Sequence, residues 1–194
     1  MPKLWNETVE AHRTQVRDAI VDSAAALVFE HGLRAVTMSQ IAEHAGIGRA
    51  TLYKYFPDVD AILRTWHTRR VEEHLAELVR VRAGSGTAGT RLTAVLRSYA
   101  HGVHRAGRHD RGLVQALHPD EQISDARNRL RELVSELIAE AADGGELRDD
   151  IAADELADYC LHALAAAAEL GSAAAVNRLV AVTAAGLRLQ VEVE

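Results

Sequence analysis

Seven consecutive residues, Arg49 to Tyr55 (RATLYKY), carry a guanidinium, an ammonium and three hydroxyls. Such groups donate hydrogen bonds to base edges and phosphates: arginine can grip guanine through two parallel bonds, and lysine, threonine or tyrosine can hold a phosphate oxygen. Gly48 and Ala50 supply the clearance that a short helix needs at the end entering a major groove. Arg49 is therefore the candidate base reader, with Ala50, Thr51, Tyr53 and Lys54 beside it. Two other groupings invite different chemistry. His101 and His104 stand at i and i+3, with His109, Asp110 and His118 downstream, but Arg97, Arg105 and Arg108 crowd them and would repel a cation. With one cysteine and no CxxC or HExxH pattern, no metal site or cofactor is expected. Cys160 and His162 could suggest a nucleophile and base, yet two residues along a helix point about 200° apart. No Gly-rich phosphate loop or GxSxG elbow occurs, and no enzyme activity is expected.

The candidate reader must be held by the stretch Thr37 to Phe56, which reads as two short helices joined by a tight turn. Thr37 is a good N-cap, and Met38, Ile41, Ala42 and Ala45 fall on one helical face. Gly46 can take the left-handed conformation that ends this helix, and Ile47 fills the corner. A second helix begins near Gly48; Leu52 and Phe56, at i and i+4, turn inward and leave Arg49, Thr51, Tyr53, Lys54 and Tyr55 outside. This is a helix-turn-helix pattern.

With its flanks, IVDSAAALVFEHGLRAVTMSQIAEHAGIGRATLYKYFPDVDAIL (Ile20 to Leu63), this stretch resembles the N-terminal domain of TetR-family transcriptional regulators. The IAEHAGI core, the TLYKYF ending and the EHG turn carry the match, over roughly the first third of the chain. The resemblance implies an all-α fold: an N-terminal three-helix helix-turn-helix domain (1–57) followed by a helical C-terminal domain for ligand binding and dimerisation (58–194), with about nine helices in all. It adds Thr37, Ser39 and Tyr55 to the residues near double-stranded DNA. It also implies a homodimer through the two C-terminal helices, reading a palindromic operator with half-sites roughly 34–36 Å apart. A cavity in the second domain would take a small-molecule effector; Trp66, Tyr99, Tyr159 and His162 are its amphipathic candidates, and Arg70 a partner for an anion. The function so implied is a ligand-responsive regulator, a repressor released by its effector. A chromosome-organising protein of the same fold, and a helical ligand-binding protein or enzyme, are the alternatives. One departure concerns DNA: the family usually carries a lysine after the TLYKYF-like ending, where this chain has Asp58-Val59-Asp60.

The rest of the chain agrees with helices throughout. Of 194 residues 48% are apolar and 4% aromatic, and prolines occur only at positions 2, 57 and 119. The net charge of −6 is uneven: residues 1–82 hold 11 Lys/Arg and 11 Asp/Glu, leaving 11 and 17 for the remainder out of totals of 22 and 28. A neutral first part can bind DNA only if its cations share a face, with few phosphate contacts. The single cysteine, the lack of a long apolar run and an N-terminus without a signal-peptide core lead us to expect a cytoplasmic protein with no membrane span. Helices are expected at about Thr8–His31, Val59–Arg82, Arg91–Ala106, Arg111–Leu117, Asp120–Ala142, Ala152–Leu170 and Ala173–Val191, with a flexible joint at Ala83–Thr90. The last pair is lined with alanine, which lets helices approach closely and suits a four-helix contact between copies.

Overall fold

Local signals set most of the boundaries. In a computed structural model, which describes residues 2–32, 35–107 and 121–188 (side chains from 9 in the first span and from 124 in the last), eight α-helices and no strand occur among the described residues. They are α1 (Pro2–His31), α2 (Met38–His44), α3 (Arg49–Tyr55), α4 (Val59–Arg82), α5 (Ala88–Gly107), α6 (Glu121–Asp143), α7 (Ala153–Ala165) and α8 (Ala173–Ala185). The short helix expected at Arg111–Leu117 lies outside the described residues. Among those described, no helix is long and apolar enough to cross a membrane.

The described residues up to Arg70 form one compact unit and those from Val71 a second. In the first, Ile20 and Ala24 of α1, Ile41 of α2, Leu52 of α3 and Ile62 and Leu63 of α4 are at most 1% exposed. These positions recur at helical spacing, so each helix contributes one apolar stripe to a common core. Asp58 starts α4 by accepting the Ala61 amide at 2.7 Å, as its place after Pro57 suggests. Arg69 ties α4 to α1 through Asp22.

In the second unit α5 packs against α6, α7, α8 and the 3-10 turn Ala166–Glu169. Leu92, Val95, Leu96 and Ala100 supply its buried face. Three expected element bounds are corrected here. The joint is only Ala83–Thr87, because Thr87 accepts the Thr90 amide through its hydroxyl and α5 starts at Ala88. The helix expected to reach Leu170 stops at Ala165 and tightens into the 3-10 turn, while α8 ends at Ala185. Val79 of α4 is 49% exposed. His104 is buried: its Nδ1–H donates to the Ala167 carbonyl at 3.2 Å, which pins the 3-10 turn to α5. The two segments come so close there that a Cβ on Gly107 would lie 2.6 Å from the Cβ of Ala168.

Candidate functional site

The short helix α3 takes its position from the caps around α2. Thr37 is extended, its Oγ1 accepts the Gln40 amide at 3.3 Å, and Gln40 Oε1 accepts the Thr37 amide at 2.9 Å. This reciprocal capping box satisfies two amides that a helix start would otherwise leave open. At the other end Gly46 has φ +67°, the Ile47 amide donates to Ala42 at 3.0 Å and the Gly46 amide to Glu43 at 3.1 Å. That is a Schellman closure, and it turns the chain so that Gly48 can start α3.

Leu52 is fully buried and Phe56 is 3% exposed, which fixes the rotation of α3 about its axis. Thr37, Ser39, Arg49, Ala50, Thr51, Tyr53 and Lys54 consequently share the exposed surface of the α2–α3 pair, with Tyr53 48% exposed. Tyr55 departs from the expected outward position; it is half-buried and packs on the core of the first unit. Thr37 also spends its hydroxyl proton on Gln40, at 2.8 Å.

A cleft of about 310 Å³ beside α3 is lined by Glu10, Arg13, Thr14 and Arg17 of α1 with Lys54 and Tyr55. The four α1 residues lie at i, i+3, i+4 and i+7, so the stripe was readable from the sequence; that it would face Lys54 was not. The Arg17 guanidinium sits 5.3 Å from the centre of the Phe56 ring, which holds that cation at the edge of α3. Three cations against one carboxylate make this a basic strip on a unit without excess charge.

Two of the five effector candidates come together. Tyr99 of α5 and His162 of α7 line one cavity of about 370 Å³, closed by Arg127, Leu130 and Arg131 of α6 and by Asp158, Leu161 and Ala165 of α7. Residues 158, 161, 162 and 165 form one helical stripe. Tyr159 falls off that stripe: it is 45% exposed and leans on Gly186, just past α8. Trp66 is 5% exposed in the core of the first unit, edge-on to Phe29 at 6.0 Å, with the Arg70 guanidinium 5.6 Å from its ring centre. Cys160 faces the core of the second unit, and burial pushes its thiol up to about 12, so it is a packing residue.

The cavity has a defined polar wall. Arg131 donates from Nε to Asp158 at 2.8 Å and from Nη2 to Asp158 at 3.1 Å and Asp154 at 3.2 Å. These hydrogen bonds hold the Asp158 carboxyl below its ordinary range. Burial raises the Tyr99 phenol, against the opposing charge of Arg127, so it is a neutral donor near pH 7. His162 Nδ1–H donates to the Asp158 carbonyl at 2.7 Å, which fixes the ring and leaves Nε2 for other partners. The Tyr99 ring also stacks on His74 of α4, with centres 6.4 Å apart and planes at 26°. Among the described residues no group of three or more His, Cys, Asp or Glu is placed to hold a metal ion.

Comparison with known proteins places this architecture. Residues 20–65 match the family described as "Bacterial regulatory proteins, tetR family", and residues 93–189 match "Transcriptional regulator SbtR-like, C-terminal domain". The HTH-type transcriptional repressor KstR of Mycolicibacterium smegmatis is 27% identical over 142 residues, which span 73% of this chain and 69% of that protein. Three mycobacterial HTH-type transcriptional regulators, 32% identical over 66 residues, are matched over only 35% of their length. A crystal structure of a TetR/AcrR-family transcriptional regulator from Thermobifida fusca superposes with a TM-score of 0.77 at 25% identity, covering 89% of this chain and 98% of that one. FadR of Bacillus subtilis, solved in complex with stearoyl-CoA, shares the fold with a TM-score of 0.66 at 15% identity, over 88% of this chain and 98% of its own. With one match across the helix-turn-helix and another across half the chain, this protein belongs to the TetR family of bacterial regulatory proteins.

Proposed function

We propose that the chain is a DNA-binding transcriptional repressor that works in the cytoplasm as a homodimer on a palindromic operator and is released by a small-molecule effector. The observation that carries this reading is the presentation of α3: caps at both ends of α2 and the buried Leu52 orient a seven-residue helix with Arg49, Thr51, Tyr53 and Lys54 outward. Arg49 reads a base edge, Ala50 gives clearance, and Ser39, Thr51, Tyr53 and Lys54 hold phosphates or touch thymine methyls. Thr37 and Tyr55 serve from behind, one as the cap of α2 and the other as a brace at the basic cleft.

The effector occupies the cavity of the second unit and acts through α4. That helix starts in the first core with Ile62 and Leu63 and reaches the second with Leu78, and its His74 stacks on the cavity residue Tyr99. A ligand that moves Tyr99 bears on His74, and the equilibrium shifts by the difference in ligand affinity between the two positions of α4. Repression accords with the repressor role of the KstR relative. Pairing of copies uses the exposed faces of α7 and α8, described below.

Selection of bound duplexes from a random DNA pool, at two salt concentrations, tests the reading. A palindrome with half-sites about one helical turn apart is expected. Recovery of no preferred sequence would refute it.

A further inference from the structure

The chemistry of the cavity wall narrows what can occupy it. At about 370 Å³ it lies near the lower end of the roughly 300–1,000 Å³ typical of small-molecule sites, a volume that a compact molecule fills. Tyr99, Leu130, Leu161 and Ala165 make an apolar slot that suits a flat or branched body.

Charge decides the polar end. Arg131 is committed to Asp158 and Asp154, and that cluster leaves no positive charge for a ligand. Arg127, one turn earlier on the same face of α6, has no carboxylate partner among the described residues and also lines the cavity. Arg127 is exposed at the rim of the slot, where an anion seated on the apolar wall would pair with it in a charge-assisted hydrogen bond.

We propose that the effector is a compact, apolar mono-anion of the carboxylic-acid class, paired through its charge with Arg127. This rests on the reading of the chain as an effector-controlled regulator, and it parts from the fold neighbour solved with stearoyl-CoA.

The test uses the purified full chain without DNA and the fluorescent probe 6-hydroxy-2-naphthoate, its neutral analogue 6-hydroxy-2-naphthalenemethanol, and stearoyl-CoA. The acid should bind saturably and about tenfold or more tighter than the alcohol, the scale of a hydrogen bond to a charged group. Arg127→Gln should remove that preference while the melting curve stays unchanged, and Leu161→Trp, which fills the slot, should weaken both naphthalenes. Equal binding of acid and alcohol, a preference that survives in R127Q, no saturable binding, or stearoyl-CoA held in place of the naphthoate would each overturn the proposal. The DNA selection is independent of these titrations: a palindrome with failed titrations refutes the ligand class alone, and successful titrations without a palindrome refute the regulatory reading alone.

Discussion

At the scale of single residues, cations near α3 should separate into two kinds. Arg49→Ala should cost about 1–3 kcal/mol of DNA affinity and relax the sequence preference at one position of each half-site, because a bidentate base contact discriminates. Lys54→Ala should weaken all sequences alike and lower the salt slope by about 1, as loss of a phosphate contact does. Equilibrium titrations over a salt series measure both, and circular dichroism checks that the fold survives; an unchanged sequence preference in R49A would remove Arg49 from its role. The Asp158–Arg131 pair makes a prediction about pH. Its folded carboxyl pKa lies below the unfolded value of about 3.9, so its contribution to stability is present above that value and is lost as pH falls through the folded one. Urea unfolding from pH 7 down to pH 3 should therefore show a steeper acid loss in the parent than in Arg131→Ala.

At the scale of elements, two glycines look alike in sequence and should fail differently. Gly46→Ala meets no atom within 4 Å, so its cost is the left-handed backbone alone, about 1–2 kcal/mol. Gly107 ends α5 with ordinary dihedrals, and alanine there would gain helix propensity. Its Cβ, however, would sit 2.7 Å from the Ala168 Cα and 2.8 Å from the Ala168 carbonyl oxygen, atoms that move only with the backbone. Overpacking of this kind costs about 1–3 kcal/mol. Hydrogen exchange should place the damage of G46A at the α2–α3 turn and that of G107A at Ala167–Glu169; the reverse pattern would contradict the packing described. The same contrast explains what could be read in advance. Thr37, Gly46, Leu52 and Phe56 act through neighbours within a few residues, so the geometry of α2 and α3 was legible from caps and spacing. His104 bonds a carbonyl 63 residues away, and Arg131 meets Asp158 across two helices. Periodicity says which face of a helix is apolar, not which helix it will meet. For that reason Arg127, Asn128, Arg131 and Asp158 were missed as cavity residues, while Trp66 and Arg70, plausible by type, are spent on the first core.

At the scale of the whole molecule, a reader with one short recognition helix and a neutral first part needs a second copy to gain affinity. The surface proposed for it runs along α8. Val182 is 67% exposed and Tyr159 45%, and Ala174, Ala181 and Ala185 are exposed on the same helix as Val182. Positions 174, 178, 181, 182 and 185 make one stripe of α8, apolar but for Arg178, and the lean of Tyr159 on Gly186 joins it to α7. An apolar stripe of small residues allows two helix pairs to close on one another, with each copy presenting the same patch. Val182→Glu replaces the most exposed apolar side chain of that stripe with a negative charge without touching the core of its own unit. Sedimentation equilibrium should then show monomers with unchanged helical content. DNA affinity should fall far more than any contact at Val182 could explain, because the second half-site is no longer bound intramolecularly, a gain of about 10²–10⁴ where the geometry fits. A V182E protein that stays dimeric would show that copies pair elsewhere. One that becomes monomeric yet holds the palindrome as tightly would show that each half-site binds on its own, and the spacing of the operator would then have no physical cause in this chain.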